Sequence, residues 1–238
     1  MNLNSALYLI PVTLGETEIN QVLPSYNHDI IVNIKHFIVE NIRSARRFLK
    51  QVEKSIDIDE LTFYELNRHT DRKIIGEYLE PLKKGQPVGI ISEAGCPAIA
   101  DPGADVVAIA QSRGIKVVPL VGPSSIIMSL MGSGFNGQQF AFNGYLPVEV
   151  PGRIKALKKL ENKVYNEDQT QIFIETPYRN TKMLETMLNT LKPNTKVCIA
   201  AGITTPQELI ITKTVEKWKK EKLPEFEKVP CVFLIYKA

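Results

Sequence analysis

Residues 88–103 read VGIISEAGCPAIADPG and carry the strongest fold signal in the chain. The run VGIIS is typical of a buried strand, and the segment Glu93–Ala100 that follows it is rich in turn-forming residues. Asp101 and Pro102 then have the order of an N-cap and a first helical residue, so we predict a helix that ends before Gly114. A strand, a loop and a helix in this order are typical of an α/β sheet.

The same alternation continues on both sides of this segment. Leu7–Val12 is predicted as an opening strand that breaks at Pro11, Ile115–Leu120 as the next strand, and a helix is expected to start at Gly122-Pro123-Ser124-Ser125. Further strands are predicted at Phe37–Glu40, Leu61–Leu66, Phe140–Leu146, Gln171–Thr176, Thr195–Ala201, Glu208–Lys213 and Cys231–Tyr236. Further helices are predicted at Ser44–Glu53, Asp71–Leu82, Ile154–Val164 and Thr181–Leu191. We therefore predict an α/β fold with a mainly parallel or mixed sheet, and two domains, residues 1–121 and 122–238.

The composition is that of an ordinary globular protein, with 44% hydrophobic and 23% charged residues in a chain of 238. No apolar run reaches the ~18 residues of a membrane span, and Met1–Ile10 lacks the features of a signal peptide. We therefore expect a cytoplasmic protein outside the membrane. The net charge of +3 and the pI of about 8.6 permit an anionic substrate without requiring one.

Neither a metal site nor a disulfide framework is expected. The cysteines are far apart and have no neighbouring histidines, and the histidines share no metal-ligand spacing. These residues are Cys96, Cys198, Cys231, His28, His36 and His69. Dinucleotide, P-loop, nucleophile-elbow and zinc-protease motifs are likewise not found in the sequence.

Three loops at predicted strand ends are rich in small residues and proline: Pro11–Gly15, Ser92–Pro97 and Val121–Ser125. Ligands of α/β sheets bind beyond the carboxyl ends of strands, so these loops are either a ligand site or tight turns that only connect elements. The basic runs Lys155–Lys163 and Lys213–Lys222 are interpreted as solvated helix faces, and Trp218 as packed against the sheet rather than stacked on a base.

Five segments occur in an order that identifies a family. They are LYLIPV (7–12), ISEAGCPAIADPG (91–103), VVPLVGPSS (117–125), GSGFNGQQFAFNGYLP (132–147) and IFIETPYRN (172–180). Together they resemble the tetrapyrrole-methylase superfamily of class III methyltransferases. The resemblance is greatest to the bacterial branch that methylates a ribose 2′-hydroxyl of small-subunit ribosomal RNA.

The resemblance implies two α/β domains of the tetrapyrrole-methylase type, a homodimer, and S-adenosylmethionine bound in a cleft between the domains. It also implies, position by position, which residues contact the cofactor. These are Leu14, Ser92, Glu93, Gly95, Cys96, Ile99, Ser124 and Ser125 in the first domain, and Ile174, Ala201 and Cys231 in the second. Small and apolar residues suit a pocket that recognises its ligand largely through backbone groups.

On the acceptor side, Tyr178 and Arg179 match a family motif and are predicted to contact the acceptor or its phosphate. Glu40, Arg43 and Glu175 complete the predicted substrate site. A ribose hydroxyl must lose a proton, and Glu40, Glu93 and Glu175 are unranked candidates for its acceptor, so no catalytic residue is assigned. Alternatively, Glu175 and Arg179 form a purely structural pair.

The chain departs from the branch at three motifs, which read GETEI at 15–19, ENIR at 40–43 and AGITT at 201–205. An aspartate of the branch is thereby lost at Asn41, and two charges are lost at 201–205. This pattern indicates retained cofactor binding with a changed acceptor. An RNA methyltransferase is the leading hypothesis. A methylase of a tetrapyrrole or another small molecule, and a cofactor-binding protein without catalysis, are the alternatives.

Overall fold

The computed structural model describes residues 3–67, 69–71 and 73–238. The chain divides into two compact units, Met1–Ser124 and Ser125–Ala238. Each unit contains one five-stranded sheet with helices, so the predicted two-domain α/β fold is confirmed.

The sheet of the first unit is parallel throughout. Its strands are short, and the central ones are almost entirely apolar, as expected where helices cover both faces. They are β1 (Leu7–Ile10), β2 (His36–Val39), β3 (Thr62–Glu65), β4 (Val88–Ile91) and β5 (Val117–Pro119), in the spatial order β3-β2-β4-β1-β5. β1 ends directly before Pro11, as the sequence predicted. One apolar cluster centres on Phe37 and Leu49, and a second on Leu7 and Leu79.

The helices of the first unit differ from the prediction at several points, and those at Ile19–Val22 and Ser25–Ile31 were not predicted. The described helices are α1 (Ile19–Val22), α2 (Ser25–Ile31), α3 (Ile42–Val52), α4 (Glu80–Lys83) and α5 (Ala104–Ser112), with 3-10 helices at Ile58–Glu60 and Ile75–Leu79. The helix predicted at residues 71–82 is instead a 3-10 helix followed by α4, and part of the prediction falls on Arg72, outside the described residues. The predicted N-cap at Asp101 is wrong, because the preceding loop continues to Gly103, whose φ of 130° is incompatible with a helix. The helix nevertheless ends before Gly114.

The sheet of the second unit is mixed. Its strands are β6 (Phe140–Tyr145), β7 (Thr170–Glu175), β8 (Lys196–Ala201), β9 (Leu209–Thr214) and β10 (Cys231–Tyr236), in the order β6-β7-β10-β8-β9. Only β6 and β7 pair in parallel; the other pairs are antiparallel. The helices are α6 (Ser125–Ser133), which starts where predicted, α7 (Val150–Glu167), α8 (Asn180–Thr190) and α9 (Val215–Lys220).

Both faces of this sheet are covered. On one face, α7, α8 and α9 enclose an apolar core that contains Phe173, Phe233 and Trp218. The indole Nε1 of Trp218 donates to the carbonyl of Val197 at 3.0 Å, which confirms that this side chain packs against the sheet. On the other face, α6 approaches β9 so closely that a Cβ at Gly132 would lie 2.8 Å from Cδ1 of Ile210.

One cation of α7, which precedes the basic run Lys155–Lys163, is buried. Arg153 is 5% exposed, and its Nη1 group lies 3.5 Å from the carbonyl of Val148. It sits in the first turn of the helix, where the chain has just left the sheet and local packing buries even a long cation. Among the described residues, no helix is both long and apolar enough to cross a membrane.

Candidate functional site

The loops that follow β1, β2, β4 and β5 lie at one edge of the first unit's sheet. This follows from topology, because parallel strands end at a common edge. The three small-residue loops of the sequence analysis all belong to this edge. The segment Glu40–Arg43 joins them, because it follows β2, the neighbour of β4.

Close contacts of the backbone tie these loops to one another. The amide of Val12 donates to the carbonyl of Gly95 at 2.9 Å, and the thiol of Cys96 lies 3.4 Å from the carbonyl oxygen of Pro123. Gly95 itself has φ of 69°, and a Cβ there would lie 3.0 Å from Cδ2 of Leu14 and 3.3 Å from the same Pro123 oxygen. A side chain at position 95 would therefore be both strained and crowded at the point where the three loops meet.

The loop after β4 has a strained backbone. Ala98 and Ala100 adopt φ values of 66° and 62°, in the left-handed region that residues with a Cβ rarely occupy. Ile99, between them, is 52% exposed although it is large and apolar. Such strain costs on the order of 1 kcal/mol per residue and is found mainly at functional sites.

The same loop brings polar groups into a partly buried position. Ser92 is 5% exposed, and within the described residues its Oγ forms no hydrogen bond of good geometry. Burial raises the pKa of Asp101 above its usual value, the negative charge of Glu93 raises it further, and the nearby Ser92 hydroxyl opposes both. A ligand with donor groups and positive charge would satisfy this set of atoms.

Glu93 and the start of α3 are linked across two loops. The hydroxyl of Ser44 donates to Oε1 of Glu93 at 2.6 Å. Oδ1 of Asn41 accepts from the amides of Arg43 and Ser44 and so caps α3. Asparagine caps a helix as well as aspartate does, so the change at position 41 keeps the local structure and removes one negative charge.

The remaining predicted residues of this edge have different surroundings. Glu40 is half-buried at the end of β2, and the side chain of Arg43 is exposed in the first turn of α3. Ser124 and Ser125 are half-buried, and α6 begins at Ser125. Sequence reasoning missed Ser44 and Asp101. Asp101 was taken for a helix cap, and nothing local in the sequence marks the contact between Ser44 and Glu93.

In the second unit, Ile174, Ala201 and Cys231 lie at one end of the neighbouring strands β7, β8 and β10. Cys231 stands opposite both Ala201 and Glu175, whereas Ile174 is one position away and so points to the other face of the sheet. Ala201 and Cys231 are buried in the apolar core, and burial raises the pKa of the Cys231 thiol. Only their main chain is placed to contact a ligand, and their role toward a cofactor stays a prediction.

Glu175 and Arg179 form an ion pair at the end of β7. Oε1 of Glu175 accepts from Nε and Nη2 of Arg179 at 3.0 and 2.6 Å, and this hydrogen bonding raises the pKa of the guanidinium. The side chain of Glu175 is fully buried, so it has the least access to an acceptor among the three candidate bases. Tyr178, in contrast, is 82% exposed.

A cavity of about 830 Å³ lies elsewhere in the second unit, beside the start of α8. None of the predicted site residues lines it. Its lining includes three carboxylates, which would repel a phosphate: Glu208, Glu225 and Glu227. In the part of the chain that the structure describes, no group of three or more His, Cys, Asp or Glu side chains is placed to hold a metal ion.

Comparisons with known proteins agree on one family. The family profile described as "Tetrapyrrole (Corrin/Porphyrin) Methylases" matches residues 29–218. The chain is 28% identical to the ribosomal RNA small subunit methyltransferase I of Buchnera aphidicola subsp. Schizaphis graminum, over 99% of this chain and 79% of that protein. It is 30% identical to the protein of the same name from Vibrio cholerae serotype O1, over 86% of this chain and 67% of that protein.

A solved structure shares the fold at low sequence identity. The crystal structure of the methyltransferase CobJ superimposes with a TM-score of 0.64, at 16% identity, over 98% of this chain and 94% of that chain. At this level of identity, the likeness concerns the fold alone.

Proposed function

Since this chain belongs to the tetrapyrrole (corrin/porphyrin) methylase family and is a methyltransferase, we propose that it transfers a methyl group from S-adenosylmethionine to a ribose 2′-hydroxyl of small-subunit ribosomal RNA. The observation that best supports S-adenosylmethionine as the cofactor is that three loops meet around Gly95. The names of the relatives, both ribosomal RNA methyltransferases, support the acceptor.

The residues at the edge of the first sheet fit the proposed cofactor. Gly95 lets the three loops approach closely, and Ser92 offers a buried hydroxyl that forms no hydrogen bond of good geometry with the described residues. Glu93 and Asp101 supply negative charge at the same loop. When bound, S-adenosylmethionine supplies an electrophilic methyl group on a positively charged sulfur. The carboxylates favour that charge, and the strained loop holds the backbone in place before binding.

A carboxylate at this edge of the first unit's sheet would remove the proton of the acceptor hydroxyl. Glu93 is the better placed candidate, because Ser44 fixes one of its oxygens at 2.6 Å while its side chain stays exposed. A base that is already oriented loses little freedom during the reaction. Glu40 follows the adjacent strand and remains the second candidate.

An RNA acceptor also needs cations that bind phosphate. Arg43 is exposed in the first turn of α3, and Asn41 beside it carries no negative charge that would repel a phosphate. We also propose that the protein is a cytoplasmic homodimer, as the family resemblance implies; light scattering would test its oligomeric state.

Transfer of a tritiated methyl group tests the proposal. Unmodified small-subunit ribosomal RNA, assembled small subunits and uroporphyrinogen are each incubated with the enzyme and labelled S-adenosylmethionine, and the RNA is digested to nucleosides. Label in a 2′-O-methylated nucleoside supports the proposal. Label only in the tetrapyrrole would replace the acceptor, and no label despite cofactor binding would show that catalysis is lost.

A matched pair of variants tests whether RNA binds at the first turn of α3. Arg43→Gln should abolish RNA methylation, because it removes a cation in the first turn of α3. Arg47→Gln removes an equally exposed cation one turn later on the same helix and should retain activity. Equal activity of the two variants would contradict the role of Arg43.

A further inference from the structure

Two tyrosines are exposed at one end of the second unit's sheet. Tyr145, the last residue of β6, is 59% exposed, and Tyr178, just after β7, is 82% exposed. A folded chain usually covers such large aromatic surfaces, so two together mark a surface that binds something. Arg179, the neighbour of Tyr178, has a side chain that is 32% exposed.

The sheet brings these three residues together. β6 and β7 run in parallel, and Tyr145 stands in register with Ile174, directly before Glu175. The register of β6 shifts between Phe142 and Tyr145, where Gly144 has φ of 61°. Such an irregularity turns the following side chain away from the regular pleat, and it is common beside binding sites.

The guanidinium of Arg179 is held in one orientation. Nε and Nη2 both donate to Oε1 of the buried Glu175, while Nη1 forms no hydrogen bond with the described residues. An anchored guanidinium with donors left over is suited to a phosphate, and it loses little side-chain entropy on binding one.

We propose that Tyr145, Tyr178 and Arg179 bind one unpaired nucleotide of the RNA acceptor, with Glu175 as a positioning residue. This inference rests on the proposed function. The base stacks on a tyrosine ring, and Arg179 binds the phosphate. The exposed tyrosine rings beside the anchored Arg179 match one base and one phosphate. A tetrapyrrole with several carboxylates would require several cations.

Fluorescence anisotropy with a short fluorescein-labelled oligouridylate measures the binding of the full chain. Tyr178→Ala and Tyr145→Ala should each weaken it about 5- to 100-fold, the range for loss of one stacked base. Tyr178→Phe keeps the ring and should bind within about twofold of the parent. Phe140→Ala removes a partly exposed ring from the opposite end of β6 and should leave the affinity unchanged.

The dependence on salt separates the roles of the cation and the rings. Arg179→Gln should reduce the slope of log affinity against log salt by about 0.7, the value for one phosphate contact on a single strand. The tyrosine variants should leave that slope unchanged. Lys196→Gln removes a cation at the other end of the sheet, at the start of β8, and serves as the control.

Three results would overturn the proposal. Unchanged affinity of the alanine variants would exclude the site, and equal losses in Tyr178→Phe and Tyr178→Ala would exclude stacking. Competition of uroporphyrin with the oligonucleotide, lost in the same variants, would assign the surface to a tetrapyrrole. If the parent protein methylates RNA while these variants bind it normally, only this inference fails. If the parent protein neither binds nor methylates RNA, the proposed function fails.

Discussion

Arg179 donates two hydrogen bonds, from Nε and Nη2, to a single oxygen of Glu175. The amide and the hydroxyl of Thr176 donate to the same oxygen at 2.7 and 3.3 Å, so Oε1 has four donors. The side chain of Glu175 is fully buried and that of Arg179 is one third exposed. The buried carboxylate therefore fixes a cation at the surface, at the end of β7.

Removal of this carboxylate should cost stability. Glu175→Ala leaves Arg179 and the Thr176 amide without their acceptor, and we expect the free energy of unfolding to fall by about 3 kcal/mol, as for one partner of a buried ion pair. Urea unfolding measures the loss. Glu216→Ala breaks a pair with Lys220 of the same i,i+4 spacing, but both partners are exposed, so it should have almost no effect. Equal losses in the two variants would contradict the structural role of burial.

The glycine at the junction of the loops provides a second test. Gly95→Ala and Gly114→Ala impose the same backbone strain, because the two φ values are 69° and 66°. A Cβ at Gly114 meets nothing within 4 Å, whereas at Gly95 it meets Leu14 and Pro123. Both variants should lose about 1 kcal/mol of stability through backbone strain, and Gly95→Ala should lose somewhat more because of these contacts. Only Gly95→Ala should weaken S-adenosylmethionine binding, by tenfold or more as an order of magnitude.

Isothermal calorimetry measures the affinity for the cofactor, and thermal unfolding without it measures the strain. If Gly114→Ala weakens binding as much as Gly95→Ala does, the effect comes from general instability. The proposed contact of the loop with the cofactor would then lose its support.

Ser92 offers a test in which the affinity for the cofactor should change while the stability does not. Its buried hydroxyl forms no hydrogen bond of good geometry with the described residues, so Ser92→Ala should leave the stability nearly unchanged. The affinity for S-adenosylmethionine should fall. Ser129 is also buried, but its hydroxyl donates to the carbonyl of Ile126 at 2.8 Å. Ser129→Ala should therefore lose about 1 kcal/mol of stability and bind the cofactor normally. Unchanged affinity of Ser92→Ala would exclude this hydroxyl from the site.

Local signals were sufficient for most elements. Pro11 ends β1 and Gly114 follows α5, because both residues act on the backbone within a few positions. The parallel order of strands also follows from the alternation of strand and helix. The edge that gathers the candidate loops was therefore predictable in outline.

Contacts distant in sequence were not predictable. The sequence around Glu93 does not predict the hydrogen bond from Ser44, because the two residues are 49 positions apart. The burial of Arg153 depends on how the chain turns from β6 into α7. A run of basic residues in the sequence does not predict that turn. Ile174 and Ala201 are both predicted to contact the cofactor, and the structure adds that their side chains point to opposite faces of the sheet. That difference depends on strand register, which a single sequence does not reveal.

The pH dependence of stability should reveal the cost of Asp101. Burial raises the pKa of this carboxyl in the folded chain, so the folded state binds its proton more tightly than the unfolded state does. The protonated Asp101 therefore does not destabilise the folded state at low pH. This advantage is lost as the pH rises from about 3.8, the usual pKa, through the higher pKa of the folded state. Above that window the charged, partly buried group destabilises the fold. Asp101→Asn should therefore unfold at higher urea concentration at pH 7, with a smaller advantage at pH 4.

Asp168 gives a control of opposite sign. Hydrogen bonds from Lys237 and Tyr236 lower its pKa, so its contribution is present above about pH 3.8 and is lost as the pH falls through the folded pKa. Asp168→Asn should thus reduce stability at pH 7 and have less effect at acidic pH. If Asp101→Asn also reduces stability at pH 7, Asp101 is a structural residue. If Asp101→Asn raises the stability and weakens cofactor binding, then Asp101 contributes to ligand binding and destabilises the folded chain.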